Sequence, residues 1–195
     1  DVSQVTDMSY IFKCSMFDGD ISNWDVSSVT SMNNMFWRAI NFNSPIDLWN
    51  TSNVTSMDKM FYDASSFNKP IGNWNTSKVI SMLGMFYFCD YFNQDLKFWN
   101  TSNVTNMYGM FSNAVNFNQS LNTWNTSNVT NMSFMFYRAK QFNQPLNNWN
   151  VSKVIEMKSM FSFSKKFNQD LSSWNTSNVT SMSYMFNETD CFNQN

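Results

Sequence analysis

Apolar positions recur along this chain with a strict spacing. Seven of the eight tryptophans, Trp24, Trp49, Trp74, Trp99, Trp124, Trp149 and Trp174, stand 25 residues apart. Ending the unit at this Trp divides the chain into units 1–24, 25–49, 50–74, 75–99, 100–124, 125–149, 150–174 and 175–195. The first unit is one residue short, between Phe12 and Phe17. The shared text is (D/N)-(T/V)-S-x-V-x-x-M-x-x-M-F-x-x-A-x-x-F-N-x-x-(L/I)-x-x-W. Position 8 is Met in every unit, positions 12 and 18 are Phe, and position 3 is Ser. A fixed period with apolar residues at fixed phases marks a solenoid, in which no unit buries its apolar face alone and each copy covers the next.

Within unit 100–124, Val104, Met107, Met110, Phe111 and Ala114 are spaced 3, 3, 1 and 3 apart. That spacing predicts one face of a short helix from about Asn103 to Ala114, with Ser102 as its N-cap and Gly109 as a local weakness. A short strand is expected around Leu121–Trp124. The spacing there is not a clean period of two, and Asn and Gln are poor strand formers, so an all-turn coil or a pair of helices is the alternative. The expected architecture is a single right-handed α/β solenoid of about eight coils, one short strand and one short helix in each. At a coil rise near 4.8 Å it would be about 40 Å long. The Met stripe keeps the helical phase in every unit, which favours core packing over a soft-metal site.

The phrase MFxxAxxFNQxLxxWxxSxVTxMxxMF, which runs through the whole chain, resembles the repeat of the BspA-like leucine-rich repeat surface proteins of bacteria. The resemblance implies a leucine-rich-repeat-like solenoid in which Phe and Met replace most of the Leu. It also implies an extracellular or cell-surface location and a role in adhesion or protein binding. The expected partners are a protein or glycan on a host or neighbouring cell, or further copies of the chain. Membrane attachment would come only through an anchor outside this segment, and the array reads as a piece of a longer protein.

Composition narrows the function. Net charge is −2 and charged residues make up 13%, so the basic footprint of a nucleic-acid binder is missing. No run of about 18 apolar residues is present. There are 31 Asn and no His, which removes the commonest general base and metal ligand. No Gly-rich phosphate loop and no off-phase acidic pair replace it. A non-catalytic module with no cofactor and no metal is expected. Two roles are open: surface adhesion or recognition, and a structural spacer or filament element that associates end to end.

Cys89 occupies the small-residue slot of Ala39, Ala64, Ala114 and Ala139, and Cys14 fits it too if the missing residue precedes it. Cys191 is off-phase. Cys14 and Cys89 lie three coils apart, too far to pair. Position 1, from Asp1 and Asp25 to Asn175, would stack as a side-chain ladder in preference to a calcium site. Position 2 repeats Thr51, Thr76, Thr101, Thr126 and Thr176, a row that could order water if exposed. Asn50, Asn53, Asn75, Asn100, Asn103, Asn125, Asn128, Asn150, Asn175 and Asn178 each begin Asn-x-Ser/Thr. They are glycan acceptors if the chain passes a eukaryotic secretory pathway, and turn residues otherwise. The candidate binding residues are the irregular ones. Trp37, Tyr62, Tyr87 and Tyr137 form an aromatic stripe at position 13, which is either exposed or half-buried between coils. Leu48 and Phe98 stand at position 24 among polar equivalents.

Overall fold

The computed structural model describes residues 1–194, and these form a stack of eight coils. The expected helix and strand of each coil are absent. Among the described residues there is no helix, and the only sheet pairing is one parallel bridge residue per coil: Asp7, Ser31, Ser56, Ser81, Asn106, Asn131, Glu156 and Ser181. The α/β solenoid is therefore corrected to a stack of all-turn coils.

The backbone of coil 5 shows why. The N–H groups of Met110, Ser112 and Ala114 donate to the carbonyls of Met107, Gly109 and Phe111, three residues back, at 3.2, 3.1 and 3.0 Å. The intervening N–H groups of Met107, Gly109, Phe111 and Asn113 donate instead to Asn131, Ser133, Met135 and Tyr137 of the next coil, at 2.6–3.0 Å. Half of the donors thus close turns and half join coils. Overlapping turns place Met107, Met110, Phe111 and Ala114 on the inside at the same 3-1-3 spacing that a helix would use. Position 10 sits third in its turn and has positive φ, as a type II turn requires. Gly84 and Gly109 meet this demand at φ +57 and +59, while Lys59, Phe134 and Ser159 meet it at 53–59 against the left-handed penalty. Position 14 does the same at Arg38, Asp63, Phe88, Asn113, Arg138 and Phe163.

Ser102 caps no helix. Its N–H donates to Asn100 Oδ1 at 3.0 Å, an Asx turn repeated at Asn50, Asn75, Asn125, Asn150 and Asn175. Position 1 is therefore occupied locally. The inter-coil amide ladder runs at position 19. Asn68 Oδ1 accepts from Asn93 N–H at 3.0 Å and from Gln94 Nε2 at 2.8 Å, and Asn93, Asn118 and Asn143 repeat the arrangement. The expected strand near Leu121–Trp124 is a turn, with Trp124 N–H on Leu121 O at 3.0 Å.

The core is three aromatic columns. Phe36, Phe61, Phe86, Phe111, Phe136 and Phe161 stack with centroids 5.5–5.7 Å apart. Each lies about 4 Å from the position-18 Phe of its own coil. Trp49, Trp74, Trp99, Trp124, Trp149 and Trp174 form the third column at 6.2–6.5 Å, nearly parallel. Each Nε1 donates to the position-22 carbonyl of the coil before, as Trp99 does to Ile71 at 3.0 Å. The indole is thereby buried with its one donor satisfied. The Met stripe packs among these rings, with Met57, Met82, Met107 and Met132 fully buried.

The position-2 threonines do not face water, except Thr176 in the last coil, which is partly exposed. Thr51, Thr76, Thr101 and Thr126 are 1% exposed and donate to the position-1 carbonyl of the next coil at 2.9–3.1 Å. Cys14 does not share the small-residue slot. Its N–H bonds Trp37 O as Arg38 N–H bonds Tyr62 O, so it holds position 14, is exposed, and leaves the slot to Ser15. Cys89 does fill the slot, with its thiol on Phe61 O at 2.8 Å. Burial pushes that thiol well above its ordinary pKa. All three cysteines are free.

Candidate functional site

One edge of the stack, formed by positions 9 to 17, departs from the repeated text. It is built on the overlapping turns, whose left-handed residues at positions 10 and 14 turn side chains away from the core. The position-13 stripe is half-buried, as the packing alternative had it. Trp37 meets Tyr62 edge-on at 6.0 Å, and Tyr62 stacks on Tyr87 at 4.8 Å. Phe88 closes on both tyrosines, and Lys13 Nζ lies 4.1 Å above the Trp37 ring. Trp37 Nε1 is buried without a partner among the described residues. Burial, followed by the neighbouring Tyr87, raises the Tyr62 phenol above its ordinary pKa.

The stripe is interrupted in coil 5, where Gly109, Ser112 and Asn113 replace larger residues. It resumes beyond. Phe134 meets Tyr108 at 5.5 Å and Tyr137 at 5.7 Å, and Tyr137 meets Phe163 at 5.7 Å. The Arg138 guanidinium lies 5.3 Å from the Tyr137 ring and 5.1 Å from that of Phe163. The interruption leaves a recess of about 290 Å³ lined by Asn113, Val115, Arg138, Lys140, Phe163 and Lys165. Lys165 is held by Asp190 at 2.9 Å and Glu188 at 3.4 Å, and the bond to Asp190 raises its pKa. Among the described residues neither Arg138 nor Lys140 has a carboxylate within ion-pairing distance.

The charge around the recess follows from the distribution along the chain. Residues 1–95 carry ten acidic and five basic side chains, and residues 96–195 carry four and seven. No carboxylate side chain occurs between Asp95 and Glu156. Asp90, two coils before Lys140 at the same unit position, marks the acidic border. Burial and then Asp63 raise its pKa, while Lys140 opposes them.

Leu48 and Phe98 are the most exposed of the large apolar side chains, at 79% and 75%, with Lys97 Nζ 4.9 Å from the Phe98 ring. They are two coils apart with Asn73 between them, and no aromatic contact joins Phe98 to the position-13 stripe. The structure therefore does not gather the candidate residues into one site. It adds Phe88, Phe134, Arg138, Lys140 and Phe163, which the repeat pattern alone does not single out. The acid-free stretch around Arg138 and Lys140 was the readable signal.

The ten Asn-x-Ser/Thr residues named above fall into two classes. At position 1 the Oδ1 is used in the Asx turn. At position 4, Asn53, Asn103, Asn128 and Asn178 donate Nδ2 to a Ser carbonyl of the preceding coil at 2.7–2.8 Å. No group of three or more His, Cys, Asp or Glu that could hold a metal ion occurs among the described residues.

Comparison with known families adds one finding. The family described as "Mycoplasma protein of unknown function, DUF285" matches residues 1–97 and 81–195. The chain belongs to this family. No curated protein and no solved structure matches it. The two overlapping DUF285 matches span the whole repeat array, so the irregular edge and its recess lie inside the family region.

Proposed function

We propose that this DUF285 chain is a non-catalytic recognition module of the cell surface, of the BspA-like kind, adhering to protein or glycan through its irregular edge. The observation that carries this reading is the gathering of Trp37, Tyr62, Tyr87, Phe88, Tyr137, Arg138 and Phe163 on one edge of the stack. Large rings and arginines held by a rigid scaffold are the usual anchors of binding surfaces. The coil-to-coil ladder supplies that rigidity, because every second donor of the turns crosses to the next coil.

Binding of the fluorescently labelled chain to host-type cells and matrix proteins tests the reading. Saturable binding is expected. It should fall in a Phe88→Asn variant, which keeps a residue suited to positive φ at position 88, and persist in Leu48→Ser, Phe98→Ser. Absence of saturable binding, or equal binding by both variants at unchanged thermal stability, overturns it.

A further inference from the structure

We infer that the coil-5 recess is a site for an acidic sugar, a uronate-type residue of a glycan, whose carboxylate is held by Arg138 and Lys140 while its ring lies against Phe163. This rests on the recognition reading and names the ligand class.

Three observations converge. First, two of the three cations that line the recess, Arg138 and Lys140, are without ion-pair partners among the described residues, although the third, Lys165, is paired twice. Their charges stand at the end of the chain's one long acid-free stretch, so the local field favours an anion. Second, the Arg138 guanidinium is oriented before any ligand arrives. It lies between the Tyr137 and Phe163 rings, and its residue is fixed at φ 57 with its N–H on Ser162 O at 2.9 Å. A preorganised guanidinium fork gives up little freedom on pairing with a planar carboxylate. Third, the volume of about 290 Å³ is at the lower end of ligand sites and suits a single ring.

The same geometry argues against an acidic peptide. Peptides that lie along a protein surface commonly bond its free main-chain groups. Here the N–H groups of three lining residues, Asn113, Arg138 and Phe163, are already spent on Tyr137, Ser162 and Asn187 of the following coils, and the Val115 and Lys165 carbonyls accept from Gln141 and Cys191 N–H. Few main-chain groups at the recess are left for a peptide, so recognition falls chiefly to side chains. Those present are three cations, of which Lys165 is already paired, a ring and the amide of Asn113, whose Nδ2 donates to Ser112 Oγ at 3.2 Å and whose Oδ1 has no protein donor among the described residues. An oxygen acceptor beside a ring and two cations suits a hydroxylated, carboxylate-bearing ligand.

Titration calorimetry of the whole chain with an oligosaccharide of alternating glucuronate and N-acetylglucosamine tests the site. Its carboxyl-reduced counterpart and an oligoglutamate of equal charge serve as comparison probes. Saturable binding to the glucuronate oligosaccharide is expected, weakening as salt rises and lost on carboxyl reduction. An Arg138→Asn, Lys140→Gln double variant should weaken it about tenfold or more. A Lys78→Gln, Lys153→Gln double variant, an equal charge change on the position-4 row, should leave it unchanged. No binding, equal binding by the double variant, or tighter binding of oligoglutamate overturns the assignment. If cell binding persists while the glucuronate titration is flat, the sugar site fails and the recognition reading stands.

Discussion

Phe111, Phe117 and Trp124 of coil 5 each touch the same residue type in the coils on both sides. Ser112 and Asn113, next to Phe111, break the row that Tyr87 and Tyr137 hold on either side. The core columns tolerate no change of register, because each ring is the floor for one neighbour and the roof for the other. The edge carries no such obligation. Its backbone bonds are made whatever the side chain, so its residues are free to differ from coil to coil. Sequence regularity thus measures mutual stacking: Ser112 and Asn113 are buried too, at 0% and 6%, yet they belong to no column and are free to vary.

Two adjacent residues give the sharpest version of the contrast. Trp99 is 3% exposed with its Nε1 on Ile71 O, while Phe98 is 75% exposed. Trp99→Ala should cost about 3–5 kcal/mol, from lost contacts and the orphaned carbonyl. Phe98→Ala should stay within about 0.5 kcal/mol. Equilibrium denaturation of both variants measures the difference, and similar losses would break the division between core and edge.

The amide ladder gives a second, smaller contrast. Asn93 Oδ1 accepts from Asn118 N–H at 2.9 Å and from Gln119 Nε2 at 3.1 Å in a partly buried setting. Asn93→Ala leaves the Asn118 N–H without a partner, while Gln119 Nε2 keeps the Asn93 carbonyl at 3.1 Å, and should cost about 1–3 kcal/mol. Asn100→Ala removes an exposed Asx turn that water can replace, and should cost about 0.5 kcal/mol or less. Equal losses in chemical denaturation would show that the position-19 ladder contributes no more than the local turn at position 1.

Gly109 and Gly84 occupy the same left-handed turn position but have different neighbours. A Cβ at Gly109 would stand 3.1 Å from the Tyr87 ring, whereas at Gly84 nothing is nearer than Lys59 Cγ at 3.4 Å. Both Ala variants incur the left-handed penalty of about 1–2 kcal/mol, and Gly109→Ala should lose slightly more because the ring must move. Ser159→Gly, at φ 53, should gain up to about 1 kcal/mol. A gain from Gly84→Ala in thermal or chemical unfolding would refute the turn assignment.

These glycines also show where the sequence misleads. The period, the aromatic columns and the buried Met stripe follow from residues at fixed phase, because such residues have only each other to pack against. The helix does not follow. Successive turns with three-residue closures bring Met107, Met110, Phe111 and Ala114 to one side just as a helix does, and apolar spacing cannot separate the two. Gly84, Gly109 and Asn34 at position 10 were the distinguishing signal, three turn formers in the middle of an expected helix. The recess was half legible. The absence of acids from 96 to 155 stands in the sequence, but the outward aim of positions 10 and 14 depends on backbone signs that Phe134 and Arg138 do not advertise.

Asp90 allows a last comparison between the two charge territories, with the smallest expected effect. Its pKa is raised, chiefly by burial and then by Asp63, with Lys140 opposing. A carboxyl with a raised folded-state pKa binds its proton more tightly folded than unfolded. Its ionisation therefore lowers stability as pH rises from the unfolded value of 3.8 through the folded one, and the loss persists at neutral pH. Asp90→Asn removes that burden, so it should stabilise the chain at neutral pH by no more than about 0.5 kcal/mol. The gain should vanish below the unfolded pKa, where Asp90 is protonated in both states. Asp25 is the opposite case: bonds from Ser27 lower its pKa, so its contribution is present above the unfolded value and fades as pH falls through the folded one. Denaturation midpoints of the two Asn variants across acid and neutral pH should therefore diverge in sign. If Asp90→Asn instead destabilised at neutral pH, attraction to Lys140 would outweigh burial and the repulsion from Asp63, and the cationic field of coil 6 would reach across the recess to coil 4.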